Sequence, residues 1–378
     1  MCKIYLAVTL IIIFLFFPFD QNAFAAGVWT PQNSGVTDDL FGIDFIDTLN
    51  GWCVGAYSYI LHTTDGGQNW GIQHQSAGPS CIFAIDMVDA DTGYAAGGYD
   101  WSWGWIYKTT DGGNTWDGTQ VLPEQGISDI FFIGTKRGWA TGGGMAYSVS
   151  WDTTWFWQYI LKTTDGGGNW SIVLADSSIN NPAKGELSGI SFADTMHGIA
   201  VGVAGSIFTT DDGGQNWTRR SGVTNRTIFD VTHIKDQTYI AVGDTGLILR
   251  TTNGGATWDT CARDSVATLR AVDFADSSYG WIVGRPVSGL DIRGIILNST
   301  NSGNNWYYQN TGINCRFYDV KCVNKNFSWA CGGGGKIYRY YDPTGVEGEP
   351  IQNPKSKISK HIQIHFLPKL TLHIIQRL

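Results

Sequence analysis

One short motif recurs along the chain and constrains its fold more than any other feature. A turn rich in aspartate and glycine, followed by tryptophan, appears six times: TTDGGQNW at 63–70, TTDGGNTW at 109–116, TTDGGGNW at 163–170, TTDDGGQNW at 209–217, TTNGGATW at 251–258 and STNSGNNW at 299–306. Successive tryptophans are 46, 54, 47, 41 and 48 residues apart. A period of this length, with short apolar runs between tight turns, is typical of the blades of a β-propeller.

A second motif repeats in phase with the first. It begins as GIDFIDTLNGWCVG at 42–55 and recurs seven times, ending with DVKCVNKNFSWACGG at 319–333. Each period contains four short strand-like runs, and the glycines of the turn accept positive φ without steric cost. The pattern therefore predicts blades of four antiparallel strands.

The number of copies predicts how the ring closes. There are seven copies of the second motif but only six complete turns with their tryptophan, so the last blade lacks its outer strand. The segment VWTPQNSGV at 28–36 is similar to WTRRSGV at 217–223 and WYYQNTGI at 306–313. We therefore predict an all-β, seven-bladed propeller over residues 26–345, in which Trp29 begins the missing strand and lies beside the strand of Tyr338. Closure of this kind removes open sheet edges.

The two ends of the chain differ from the repeats. Residues 1–25 contain Lys3, an apolar run and Ala23-Phe24-Ala25, a pattern typical of a cleaved signal peptide. An uncleaved anchor is the alternative. We expect export to the periplasm, the cell surface or the medium, with no stable membrane span after cleavage. Residues 346–378 form a linker-like basic tail. It loosely resembles the linker that precedes a type IX secretion sorting domain, and a truncated sorting region is one interpretation of it.

The turn motif resembles the Asp-box, or bacterial neuraminidase repeat. Together with the recurrent Gly-Trp-x-x-Gly strand, it looks most like the photosystem II assembly and stability factors, over residues 28–341. This resemblance implies a non-catalytic scaffold that binds a protein partner, with an arginine-rich patch in contact with it. The alternative is a carbohydrate-binding or glycosidase-like propeller, related to sialidases or xyloglucanases.

The acids and indoles of the boxes are interpreted as structural. Aspartate or asparagine in a turn bonds nearby backbone N–H groups, and a tryptophan fills the wedge between blades. This set comprises Asp65, Trp70, Asp111, Trp116, Asp165, Trp170, Asp212, Trp217, Asn253, Trp258, Asn301 and Trp306.

Six tryptophans are not explained by the repeat, and all lie in two long connections between second and third strands. Exposed aromatic clusters suit a protein hot spot or sugar rings, although packing of the two insertions against each other is the alternative. The hypothetical partner-binding set, with two arginines from a third long connection, is Tyr99, Trp101, Trp103, Trp105, Tyr147, Trp151, Trp155, Trp157, Arg285 and Arg293.

Other functions find little support in the residues. No sialidase Arg-Ile-Pro motif is present, the predicted propeller has only Glu124 and Glu186 as glutamates, and Asp100, Asp152 and Asp291 are the loop carboxylates available to pair. A net charge of −8 disfavours nucleic acid. We expect no enzyme activity, metal or cofactor, and a monomer that binds an unidentified protein or glycan.

The mature chain would contain six cysteines, for which fifteen pairings are open. Alignment of the repeats places Cys322 and Cys331 on adjacent strands of the last blade, which makes them the favoured disulfide.

Overall fold

The computed structural model describes residues 27–345, except residues 77, 79, 100–102, 124–125, 148–153, 180–184, 263–266 and 288–291. These residues form seven antiparallel sheets of four strands each, so the prediction of a seven-bladed propeller is confirmed. The predicted signal peptide and the basic tail lie outside the described residues.

The first strand, β1 (Val28–Asn33), precedes the first blade. Blades 1 to 3 follow it in chain order. Blade 1 consists of β2 (Leu40–Phe45), β3 (Gly51–Gly55), β4 (Ile60–Thr63) and β5 (Gly71–His74). Blade 2 consists of β6 (Ser80–Met87), β7 (Gly93–Tyr99), β8 (Trp103–Thr109) and β9 (Asp117–Pro123). Blade 3 consists of β10 (Gly126–Ile133), β11 (Arg137–Tyr147), β12 (Thr154–Thr163) and β13 (Ser171–Ile179).

Blades 4 to 7 complete the ring. Blade 4 consists of β14 (Leu187–Phe192), β15 (Gly198–Gly202), β16 (Ile207–Thr210) and β17 (Thr218–Arg219). Blade 5 consists of β18 (Ile228–Lys235), β19 (Thr238–Gly243), β20 (Ile248–Thr251) and β21 (Asp259–Ala262). Blade 6 consists of β22 (Ala267–Phe274), β23 (Gly280–Pro286), β24 (Ile295–Ser299) and β25 (Tyr307–Tyr308). Blade 7 consists of β26 (Phe317–Asn324), β27 (Phe327–Gly332), β28 (Lys336–Tyr341) and β1.

The N-terminal strand closes the ring as expected. Strand β1 pairs antiparallel with β28, and Trp29 lies opposite Tyr340. The Trp29 ring also lies 5.2 Å from that of Trp281 in blade 6, nearly perpendicular to it. The two ends of the propeller are therefore joined by both a strand ladder and aromatic packing.

Two connections that the sequence suggested were long loops are mostly paired strand. Strands β7 and β8 pair up to Tyr99 opposite Trp103, and β11 and β12 pair up to Tyr147 opposite Thr154. Aromatic and β-branched residues favour strands, so the tryptophans that mark these insertions also extend the hairpins. Within the described part of the chain no helix is long and apolar enough to cross a membrane.

Aromatic pairs fill the wedges between several blades. Trp329 of blade 7 stacks on Phe45 of blade 1 at 3.8 Å, Tyr94 of blade 2 on Phe132 of blade 3 at 3.6 Å, and Trp139 of blade 3 on Phe192 of blade 4 at 3.8 Å. Box tryptophans then meet these phenylalanines edge-on, as Trp70 does with Phe45 at 88°. Such rings bury large apolar areas, which explains why indoles recur with the blade period.

The box turn is held by its own side chains. In the first box, Thr63 Oγ1 donates to Asp65 Oδ1 at 2.9 Å and accepts from the N–H of Gly67 at 2.9 Å. The Asp65 carboxylate then accepts the backbone and side-chain N–H groups of Asn69. In the third box the corresponding bonds from Asn169 lower the pKa of Asp165 to about 2. Gly66 and Gly67 have φ of 73° and 89°, which glycine adopts without strain.

A second set of side chains links each innermost strand to the next around the ring. In every blade one residue of the inner strand accepts a backbone N–H from the inner strand of the following blade, at 2.5 to 3.1 Å. The acceptor and donor pairs are Asp44 with Met87, Asp86 with Phe132, Asp129 with Ile190, Ser191 with His233, Asp230 with Val272, Asp273 with Cys322, and Asp319 with Ile43. We call these contacts the inter-blade staples.

Candidate partner-binding site

Each inner strand carries a β-bulge near the end where the chain enters the blade. In blade 1 the pairing register shifts between Leu40 and Gly42, so the residue between them has no cross-strand partner. The same shift occurs at the equivalent residues of the other six inner strands. These seven bulged residues, which we call the bulge ring, are Phe41, Phe83, Ser128, Ser188, Phe229, Arg270 and Tyr318. All are partly exposed and line one central cavity of about 280 Å³.

The bulge ring has an aromatic arc. Phe41 lies between Phe83, at 5.4 Å between ring centroids, and Tyr318, at 5.3 Å. The Tyr318 hydroxyl donates to Asp39 Oδ2 at 3.1 Å, which fixes the orientation of this ring. Half-buried, rigid aromatic side chains of this kind give large contact area at little cost in conformational entropy.

Arg270 places a cation beside that arc. Its guanidinium lies 4.4 Å from the Phe229 ring centroid and 5.8 Å from that of Tyr318. Burial, followed by the nearby Arg285, lowers the pKa of Arg270 from its usual range. Arg285 Nε is itself buried without a hydrogen-bond partner among the described residues. An unpaired guanidinium donor beside a second guanidinium group favours an anionic group on a ligand.

The cavity wall also carries polar and acidic groups. Ser128 donates a short hydrogen bond to Glu186, a residue of the cavity wall, and burial raises the pKa of Glu186. Three staple carboxylates, Asp129, Asp230 and Asp319, also line the cavity. The site therefore offers apolar, cationic and anionic surface within one concave opening, which suits a short peptide segment with mixed side chains.

The aromatic residues singled out from the sequence lie on the extended hairpins of blades 2 and 3. Trp103 and Trp105 alternate with Gly104 along β8, and Trp103 is 42% exposed. Trp105 stacks near Tyr107 at 6.3 Å and lines a small cavity of about 180 Å³ with Cys81. Trp103 is therefore available at the surface, whereas Trp105 is partly used in packing.

Several other expected site residues are only partly described. Trp155 and Trp157 lie on β12, opposite Ala146 and Gly144, while Tyr99 and Tyr147 end their strands. Trp101, Trp151 and the three loop aspartates, Asp100, Asp152 and Asp291, lie outside the described residues. Arg293 is exposed. Arg285 lies on β23 opposite Thr268, and its positive charge helps to lower the pKa of Arg270.

The favoured disulfide between Cys322 and Cys331 is not formed. Both thiols are free and buried, because the two residues lie on adjacent strands at different levels: Cys322 is opposite Ser328, and Cys331 is opposite Asp319. The Cys331 thiol instead contacts the Leu40 carbonyl at 3.4 Å, across the blade 7–blade 1 junction. Burial raises its pKa well above the usual range, so it is an unreactive thiol.

Sequence reasoning missed the bulge ring because its residues do not resemble one another. The repeat aligns LFGIDF, IFAIDM, ISDIFF, LSGISF, IFDVTH, LRAVDF and FYDVKC. The first and fourth columns are apolar throughout, whereas the second column contains aromatic, small and charged residues. Variation at this position, directly after an apolar position of the inner strand, is the signal that would have located the bulge ring.

Comparisons with known proteins agree with this architecture. The family model described as Photosynthesis system II assembly factor YCF48 matches residues 21–125, 176–261 and 222–312, more than half of the chain. The Photosystem II assembly lipoprotein Ycf48 of Synechococcus sp. (strain CC9902) is 28% identical over 110 residues, which are 27% of this chain and 31% of that relative.

Solved structures share the fold at lower identity. A structure titled "YCF48 bound to D1 peptide" has 18% identity and a TM-score of 0.61, covering 84% of this chain and 96% of that one. The GH74 xyloglucanase from Xanthomonas campestris has 12% identity and a TM-score of 0.56, covering 82% of this chain but 53% of that one. The family match distinguishes between the two alternatives that the motif left open: this chain belongs to the photosynthesis system II assembly factor YCF48 family.

Proposed function

We propose that this propeller is a non-catalytic assembly factor that binds a peptide segment of a protein partner at the mouth of its central cavity. The observation that carries the proposal is Arg270, held between the Phe229 and Tyr318 rings at a 280 Å³ opening in a chain of this family. A partner carboxylate would bond the guanidinium groups of Arg270 and Arg285, and its apolar side chains would pack on Phe41 and Phe83.

The exposed aromatic edge of blades 2 and 3 extends this proposed surface. Trp103, at 42% exposure, offers accessible aromatic area there. Rigid aromatic residues at the rim of a site commonly add contact area around a charged anchor. Tyr99, Trp101, Trp105, Tyr147, Trp151, Trp155, Trp157 and Arg293 remain proposed members of the same surface.

Binding of a labelled D1 peptide, measured by fluorescence polarisation, tests the proposal. This probe is chosen because a YCF48 structure carries a D1 peptide. We expect saturable binding to the wild-type chain and at least about tenfold weaker binding to Arg270→Gln, since a charge-assisted hydrogen bond contributes roughly 1.5–3 kcal/mol. Arg137→Gln, an exposed charge at the start of β11 near the opposite face, is the matched control and should bind like the wild type.

Two outcomes would contradict the proposal. The first is a lack of saturable binding to the wild-type chain. The second is an equal loss of peptide affinity in the Arg270 and Arg137 variants. An equal loss would mean that Arg270 acts only through the net charge of the protein.

Absence of enzyme activity is part of the proposal, and membership of an assembly-factor family supports it. The likeness to the xyloglucanase is one of fold, at 12% identity. Incubation with mixed plant and bacterial glycans should release no reducing sugar above that of a boiled sample. Sustained release that Asp152→Asn abolishes would contradict this part.

Export is also proposed, on the basis of the apolar run and the Ala23-Phe24-Ala25 site. A related protein carries the name lipoprotein, which is consistent with a location beyond the cytoplasm for that protein. Mass spectrometry of the chain from its native source should place the mature N-terminus at Ala26. An intact N-terminus on the native protein would contradict cleavage.

A further inference from the structure

One blade junction lacks a contact that the other described box turns share. In five boxes the carbonyl of the residue that directly follows the box aspartate or asparagine accepts a hydrogen bond from a side chain of the preceding blade. The donors and acceptors are Trp329 to Gly66, Gln73 to Gly112, Tyr94 to Gly166, Trp139 to Gly213, and Arg250 to Ser302. The distances lie between 3.0 and 3.1 Å.

The sixth carbonyl, that of Gly254, has no such donor within the part of the chain that the structure describes. Blade 4 presents Ile199 at the position that holds Trp139 in blade 3 and Trp329 in blade 7. The isoleucine side chain has no N–H or O–H group that could donate, and it is smaller than an indole. Blade 5 also has His233 where the stacked phenylalanine stands in blades 1, 3 and 4.

A cleft of about 350 Å³ opens at this junction. Ile199 and Thr209 border it on the blade 4 side, and Tyr239 and Gly254 on the blade 5 side. The Tyr239 ring forms part of the cleft wall, and its hydroxyl donates to the His197 carbonyl and accepts from the N–H of Ala193 in blade 4.

The remaining walls of the cleft are polar. Arg220 lines it and donates through Nε to Thr209 Oγ1 at 3.0 Å, while His197 pairs with Asp194 at 2.9 Å. A guanidinium beside an aromatic guest contributes through its cation–π interaction. The carbonyl of Gly254 remains as an acceptor for a donor on that guest.

We propose that the blade 4–blade 5 cleft is a second binding site, which takes a tryptophan side chain of a protein partner. The guest would occupy the place of Trp139 and Trp329 at their own junctions, with its indole N–H donating to the Gly254 carbonyl. The site lies on the face of the box turns, opposite the bulge ring, and does not depend on the function proposed for that ring.

Titration of the full chain with N-acetyl-tryptophanamide, followed by calorimetry, tests this site. We expect saturable one-to-one binding, and at least tenfold weaker binding of N-acetyl-leucinamide, which has neither an aromatic ring nor a side-chain donor. Ile199→Trp should fill the cleft with the chain's own indole, raise the melting temperature and weaken binding of the probe at least tenfold. Ile172→Trp, which adds the same side chain at an exposed position of β13, is the matched control and should retain binding.

Photo-labelling locates the probe without any substitution in the chain. A diazirine derivative of N-acetyl-tryptophanamide should label peptides that contain residues 193–199 or 253–254. Absence of saturable binding, undiminished binding to a folded Ile199→Trp chain, or labelling confined to the bulge ring would each overturn the proposal.

Discussion

Single residues show where recurrence in the sequence is informative and where it is not. Trp70 and Asp65 repeat with the blade period because every blade needs the same turn and the same wedge, and both could be identified from the sequence. Arg270 occupies a column with no recurrent chemistry, so spacing alone did not indicate that it faces a cavity. The staple aspartates were missed for another reason: they alternate between two positions of the inner strand, as Asp44 and Asp129 do.

Substitution of Trp139 tests most directly whether an indole buried between two blades stabilises the propeller. It is fully buried, stacks on Phe192 at 3.8 Å and donates to the Gly213 carbonyl at 3.1 Å. Trp139→Ala should lower the free energy of unfolding by about 3–5 kcal/mol, since it leaves a large cavity and an unsatisfied carbonyl. Chemical denaturation measures the change.

The control for this substitution is Trp103→Ala, because Trp103 is 42% exposed. Its effect should stay within about 0.5 kcal/mol, as is usual for surface positions. Similar costs for the two substitutions would show that indole burial between blades is not what stabilises the ring.

At the scale of strands, the inner strands are joined by carboxylates in a buried ring. In five of the six aspartate staples the carboxylate also accepts the N–H of the residue that follows it. Lys321 neutralises part of this ring by pairing with Asp44 at 2.9 Å. The contacts could not be predicted from one blade alone, because each staple is completed only by the next blade.

Burial of these carboxylates predicts how stability depends on pH. Desolvation raises the pKa of Asp86 to about 7, of Asp230 to about 6 and of Asp319 to about 8. In the unfolded chain an aspartate titrates near pH 4, so above that pH the folded state binds more protons than the unfolded state. This stabilisation is fully present below about pH 4 and is lost as pH rises through 6 to 8.

The free energy of unfolding should therefore be larger at pH 6.5 than at pH 8.5, by about 2 kcal/mol from Asp319 alone. Urea denaturation at the two pH values measures this difference. Asp319→Asn should reduce the difference, whereas Asp117→Asn, an exposed change of equal charge, should leave it as it is. Greater stability at pH 8.5 than at pH 6.5 would contradict the role of burial.

For the whole molecule, the number of blades and the mode of closure could be predicted from the sequence, because counting the half-motifs leaves only one place for the strand of Trp29. The surface function could not be predicted to the same degree. Long insertions rich in tryptophan were interpreted as loops, but strand pairing continues into them up to Tyr99 and Tyr147. A closed ring brings seven unlike bulged residues to one opening, and this assembly exists only in three dimensions.

Site-specific photo-cross-linking to the labelled D1 peptide tests the central claim most directly, namely that partner recognition takes place at the bulge ring. The photo-reactive residue p-benzoylphenylalanine would replace Phe83 in the ring, Trp103 at the proposed rim, or Ile172 on the outer strand β13. We predict strong cross-linking from position 83, weaker cross-linking from position 103 and none above background from position 172. Cross-linking from position 172 that equals or exceeds that from position 83 would contradict the account.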